Sequence, residues 1–253
     1  MSIVLNPAFT QLSPAGGGGG GGAILTFSDN FTRANGDIGT NWLSQLRPQS
    51  GSDQQGGIQI TSNNVVFSAP TLGSNGNNAL SQILWIPRLV INSSAGTSAP
   101  TGVWGRNQFA NLTFQSFATT SAFRIGVGCQ AKCDFGGSVN EARGYYLVFR
   151  TSGGAFAAVD VLKVIGGENE AGNTFTQLAT SAVAPSAGDI LELDASYNVS
   201  LTSCTLTYKK NGTVITSATD NSPLANIGYQ GLIFLTNLGT TTFNISNFAC
   251  GVL

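Results

Sequence analysis

From Ala23 onward, short runs of Val, Ile, Leu, Phe, Tyr and Thr alternate with clusters of Gly, Asn, Ser and Pro. No window of helical length carries the 3.6-residue apolar period with capping residues at its ends. The pattern predicts strands at 23–27, 57–61, 64–68, 82–86, 108–117, 122–131 and 144–151. Further strands follow at 155–164, 174–180, 189–196, 200–209, 212–219, 228–235 and 241–250. So many strands with no helix between them predict an all-β fold, two antiparallel sheets packed face to face. A parallel α/β sheet is excluded, and without an internal repeat so is a propeller.

Several runs show which residues point inward. Cys204, Leu206 and Tyr208 share one strand face, and Ser203, Thr205 and Thr207 share the other. Lys209-Lys210-Asn211-Gly212 predicts a hairpin, because Asn-Gly supplies the two positive-φ positions of a type I′ turn. Phe243, Ile245 and Phe248 change phase within one run, the mark of a bulge.

Residues 1–23 are a different material. A short apolar stretch leads through Ser13-Pro14-Ala15 into seven glycines, Gly16 to Gly22. Polyglycine loses the most backbone entropy on ordering and has no side chain to bury. The segment is a flexible linker, or an arm that anchors on a neighbouring subunit through Ile3, Val4, Leu5 and Phe9. The chain therefore divides into an N-terminal arm, 1–23, and a sandwich body, 24–253.

Composition removes whole classes of chemistry. Histidine is absent, which excludes a Ser-His-Asp triad, a Cys-His dyad and an HExxH zinc site. A net charge of −1 argues against capture of nucleic acid or of an anionic membrane surface. The longest apolar runs are far shorter than a membrane span. Met1-Ser2-Ile3-Val4-Leu5-Asn6-Pro7 has neither a basic start nor a long apolar core, so no secretory signal is visible. Cys129, Cys133, Cys204 and Cys250 are too spread for a disulfide framework and lack zinc spacing. They are expected to be buried thiols of a protein folded in a reducing cytosol, with no cofactor and no metal.

Residues 27–42, Phe-Ser-Asp-Asn-Phe-Thr-Arg-Ala-Asn-Gly-Asp-Ile-Gly-Thr-Asn-Trp, resemble the opening of concanavalin A-like (laminin G-like) jelly-roll domains. Gln108-Phe109-Ala110, Gly144-Tyr145-Tyr146-Leu147, Gly188-Asp189-Ile190-Leu191 and the Leu206 to Ile215 hairpin follow in that family's order. The resemblance implies a jelly-roll sandwich over about residues 24–250 and says little about activity. Within the motif, Phe31 and Trp42 are expected to be core anchors plugging one end of the sandwich. Gly36 and Gly39 permit the tight loop between them, and Asp29 with Arg33 forms a local charge pair.

Glucanases of this fold carry paired carboxylates along one strand. Glu192-Leu193-Asp194 is the nearest match, but Ser196 and Tyr197 stand where the third acid would be. Both acids are therefore expected to face solvent on an outer strand, and the protein is expected not to be an enzyme. Asp134 with Asn140 and Glu141, or Glu168 with Glu170, are read as solvated loop acids, not a calcium site.

Charged residues make up only 9% of the chain, against about 25% for an ordinary soluble protein. A protein packed into a larger particle needs fewer, because interface cores are depleted of charge. The long segment 88–107 places Trp104 beside Arg106, a pairing common at interface hot spots. Trp104 is a core residue, a subunit contact or a sugar-stacking platform. With the missing secretory signal, the reduced cysteines and the glycine-rich arm, and with a body that resembles family members used on phage particles, these features point to a virion structural protein, such as a capsid decoration or tail-associated component of a tailed bacteriophage. It would be homo-oligomeric and partnered by other virion proteins. The alternative on the same fold is a glycan-binding module for host-surface polysaccharide.

Overall fold

The structure is a computed structural model that describes residues 26–37, 42–46, 57–68, 81–87, 106–119, 123–134, 141–166, 174–225, 228–236 and 241–253. The arm, with Ile3, Val4, Leu5 and Phe9, lies outside the described residues, as does Trp104.

The first strands are β1 (Thr26–Asp29), β2 (Gly36–Asp37), β3 (Trp42–Leu46), β4 (Gly57–Thr61), β5 (Asn64–Ser68) and β6 (Ser81–Pro87). The long central strands are β7 (Gln108–Thr119), β8 (Phe123–Asp134), β9 (Glu141–Ser152) and β10 (Ala155–Gly166). The chain continues through β11 (Thr174–Ser181), β12 (Ile190–Tyr197), β13 (Cys204–Lys210), β14 (Thr213–Asp220), β15 (Tyr229–Thr236) and β16 (Thr241–Val252). There is no helix among the described residues, and every strand pairing is antiparallel.

The strands form the expected two-sheet jelly-roll sandwich. A nine-stranded sheet runs β14-β13-β12-β7-β16-β5-β4-β2, with β1 also on β16. A seven-stranded sheet runs β11-β10-β9-β8-β15-β6-β3. β5 takes Thr242–Ile245 of β16 while β1 takes Phe248–Gly251, on either side of a bulge at Ile245–Asn247. That bulge is the phase change seen between Ile245 and Phe248, and it keeps both residues buried. β2, inside the motif loop, and β3, which begins at its last residue, are not anticipated from sequence; β2 has two residues and no alternation to read.

Turn chemistry sets the hairpins. Asn211 and Gly212 adopt φ of 52° and 76°, as Asn-Gly predicts for a type I′ turn. Gly153-Gly154 and Ser62-Asn63 also take positive φ at both central positions, joining β9 to β10 and β4 to β5.

Between the sheets lie Ala110, Leu112 and Phe114 of β7, Leu191 and Leu193 of β12, and Leu206 and Tyr208 of β13. They meet Ile125, Val127, Tyr145, Leu147 and Phe149 from the other sheet. Phe114 stacks on Phe149 at 5.4 Å between ring centroids, and Phe243 closes on both. At one edge the sheets are tied by a buried ion pair: Lys163 Nζ lies 2.7 Å from Asp220 Oδ2, which also accepts from Tyr145 Oη at 2.8 Å. Tyr145 Oη accepts from Leu224 N in turn. Burial alone would push Asp220 up. The hydrogen bonds from Lys163, Ser222 N and Tyr145 outweigh it and hold the carboxyl below its ordinary range.

Candidate functional site

The recognised motif turns out to be organised by one carboxylate. Asp29, at the end of β1, accepts from Phe31 N and from Trp42 Nε1, both at 2.8 Å, and takes Arg33 as a bidentate pair at 2.8 and 3.0 Å. Phe31 adopts φ of 55°, so its ring turns inward. Phe31 and Trp42 are both buried, with the indole 5.1 Å from Phe248, 5.7 Å from Phe27 and 5.9 Å from Phe31. Those partners belong to the core. Arg106 lies 5.7 Å above the ring of its own Tyr197, and its carbonyl accepts from Gln130 Nε2.

Surface chemistry concentrates on the outer face of the nine-stranded sheet. Alternation along β12 sends Leu191, Leu193 and Ala195 inward and Glu192, Asp194 and Ser196 outward. Register then sets Asp194 between Phe109 of β7 and Thr207 of β13, and Glu192 between Asn111 and Lys209. Lys209 Nζ bridges both acids, 3.0 Å from Glu192 Oε1 and 2.5 Å from Asp194 Oδ2. Asn111 Nδ2 donates to Glu192 Oε2 at 3.0 Å. Phe109 is half-buried on this same face, flanked by Asp194 on one side and Gly251 on the other.

One expectation needs correction here. Glu192 and Asp194 do point away from the core, but β12 is an interior strand of its sheet and neither acid is fully solvated. Asp194 is only 8% exposed, and its Oδ1 is buried without a hydrogen-bond partner. Burial pushes its carboxyl above the ordinary range, against the pull of Lys209. Flanking strands, which alternation within β12 cannot reveal, cause this. Phe109, Asn111 and Lys209 were not singled out as site residues from sequence. Asn111 and Glu192 come together only through the β7–β12 pairing, 81 positions apart in the chain.

Away from this patch the same face carries neutral polar pairs. Gln115 Nε2 donates to Ser246 Oγ and Asn244 Nδ2 donates to Ser116 Oγ. Cys129, Cys204 and Cys250 are free and buried, and burial raises the Cys204 thiol to about 12. Among the described residues no three His, Cys, Asp or Glu side chains group as metal ligands. The calcium candidates Glu168 and Glu170 lie outside those residues.

No protein-family model and no curated protein matches the chain. Solved structures similar to it include a legume lectin-like domain from Entamoeba histolytica, with TM-score 0.47 and 11% identity, over 84% of this chain and 90% of that one. A lectin from Bauhinia forficata in complex with GalNAc is similar at TM-score 0.45 and 13% identity, over 91% of this chain and 98% of that one. A carbohydrate-binding module from Bacillus subtilis is similar at TM-score 0.40 and 13% identity, over 82% of this chain and 95% of that one.

Proposed function

We propose that the sandwich is a non-enzymatic carbohydrate-binding domain that takes its glycan on the outer face of the nine-stranded sheet. The observation that carries this reading is the half-buried Phe109 ring set beside Asn111, Glu192, Asp194 and Lys209 on one outward surface. A pyranose has an apolar C–H face and a rim of hydroxyls. An aromatic ring accepts the former, while convergent amide, carboxylate and ammonium groups satisfy the latter. Asp194, with its Oδ1 buried, serves this surface by holding Lys209.

The same geometry favours binding over hydrolysis. Lys209 engages both acids, so neither carboxylate is left clear as nucleophile or base, and position 196 holds Ser. The virion reading rested on the missing secretory signal, the reduced cysteines, the glycine-rich arm, the low charge and the family resemblance, whereas the glycan reading has a described surface behind it.

The test is binding of the whole chain to a panel of immobilised neutral and acidic polysaccharides, with parent and Phe109→Ala proteins compared. At least a tenfold loss of affinity is expected in the variant, with no release of reducing ends by either protein. Failure of the folded parent to bind any glycan, or equal binding by Phe109→Ala, would overturn the assignment.

A further inference from the structure

The outer face of the seven-stranded sheet brings two arginines directly opposite one another. Arg124 of β8 stands directly opposite Arg150 of β9, and alternation with the adjacent core pair Ile125 and Phe149 turns both arginines to the other face. Like charges directly opposed across two strands destabilise a sheet. Among the described residues Asp160 of β10 is the acid paired here, and it engages Arg150. Arg150 Nε lies 2.5 Å from Asp160 Oδ2, and Thr180 Oγ1 donates to Asp160 Oδ1 at 2.7 Å. Arg124 is half-buried, and its Nε is buried with no hydrogen-bond partner. Burial lowers its pKa, Asp160 opposes that as the next largest cause, and the neighbouring Arg150 adds a smaller lowering.

A guanidinium left in this position is costly unless something neutralises it. Two adjacent forks with one compensating carboxylate leave a local charge of +1. They also leave N–H groups of both arginines for a shared acceptor. We infer that the Arg124–Arg150 pair is a binding site for a singly charged oxyanion, held in charge-assisted hydrogen bonds from both guanidinium groups. Asp160 and Thr180 are positioning residues that fix the Arg150 fork. This site lies on the opposite sheet from Phe109 and does not depend on the glycan reading.

The ligand chemistry, an oxyanion, has two sources: an acidic sugar or a free inorganic ion. The experiment is thermal unfolding of the full chain in sodium glucuronate, sodium phosphate, neutral glucose, and sodium chloride at matched ionic strength. A rise on the order of 5–10 °C is expected at anion concentrations about a hundredfold above Kd, with none in glucose or chloride. A rise with both anions assigns the site to carboxylates of acidic sugars as well as to phosphate. A rise with phosphate alone keeps the oxyanion site and assigns it to the inorganic ion. Arg124→Met should fold, melt no lower than the parent without anion, and lose the anion-dependent rise. Arg124→Lys should retain part of it. No rise in the parent beyond that in chloride, or an undiminished rise in Arg124→Met, would overturn the inference.

Discussion

Removing the Asp29–Trp42 hydrogen bond tests whether the opening motif is a folding device. Trp42→Phe keeps a ring among Phe27, Phe31 and Phe248 but deletes the Nε1 donor that reaches Asp29 Oδ2 at 2.8 Å. A hydrogen bond to a charged group contributes about 1.5–3 kcal/mol, so the variant should lose about that much. Trp42→Ala also empties the ring's volume in a core and should cost about 3–5 kcal/mol. Asp29→Ala orphans the indole N–H and Phe31 N and breaks the bidentate Arg33 pair, a loss of about 3–5 kcal/mol. If the carboxylate holds the indole, the double variant Asp29→Ala/Trp42→Phe must cost less than the two singles added. The shortfall should be on the order of 1–2 kcal/mol. Urea unfolding followed by circular dichroism, with equal m-values across the four proteins, supplies the cycle. Additivity within about 0.5 kcal/mol would show that the indole and the carboxylate do not act together, and the account of the motif would fail.

Asp194→Asn should raise stability at neutral pH while weakening glycan binding. The folded carboxyl lies above its unfolded value, so its favourable contribution is present below about pH 3.8 and is lost as pH rises through the folded value. The variant's advantage should therefore shrink to nothing in acid, as read from melting temperatures across pH 3–7. Asp220 has the opposite sign. Its folded value is depressed, so its contribution is present above about pH 3.8 and is lost as pH falls through the folded value. Asp220→Asn should be less stable than the parent at neutral pH and show a flatter acid limb; an unchanged limb would contradict the role given to Lys163. Gly126→Ala would place a methyl 1.8 Å from the Leu147 carbonyl oxygen and should leave little folded protein, whereas Gly212→Ala meets only open space. Gly212→Ala should cost about 1–2 kcal/mol for its φ of 76°, measurable in the same urea titration.

What was legible in the sequence is what short-range chemistry determines. Asn211-Gly212 names its own turn, the alternation of Cys204, Leu206 and Tyr208 names its buried face, and Asp29 is within one loop of Arg33. β2 and β3 escaped because two residues of β2 cannot express a period, and because Trp42 of β3 read as a lone plug. β8 and β9 were anticipated as strands at 122–131 and 144–151, but not which of their faces is covered. Residues 143–149 are buried without interruption, and Gly126 and Gly128 stand on the outer face of β8 beneath Val148 and Tyr146. Alternation between buried and exposed positions is therefore absent there. The candidate site depends on which strands become neighbours. Glu192 and Asp194 were visible as a pair, but their burial comes from β7 and β13, and Phe109 joins them only through the sheet.

A chain with eleven basic and twelve acidic residues has few charges to spend on solubility, and the described ones are mostly matched. Asp29, Asp160, Asp189, Glu192, Asp194 and Asp220 each meet a Lys or Arg within ion-pair distance. Solvation of the outer nine-stranded face is left largely to hydroxyls and amides, which form their own pairs across strands. Against this background several buried side-chain atoms are left without a hydrogen-bond partner: Oδ1 of Asp194 and Nε of Arg124, together with Tyr208 Oη, Gln230 Oε1 and Asn244 Oδ1. Each is a buried polar atom that folding alone would have been better without. Local rules that fail in an otherwise consistent fold fail most often where a ligand completes them. The atoms of Asp194 and Arg124 lie on opposite faces and have opposite hydrogen-bonding capacities, an acceptor beside Phe109 and a donor beside Arg150, so the glycan and oxyanion sites proposed above stand or fall independently.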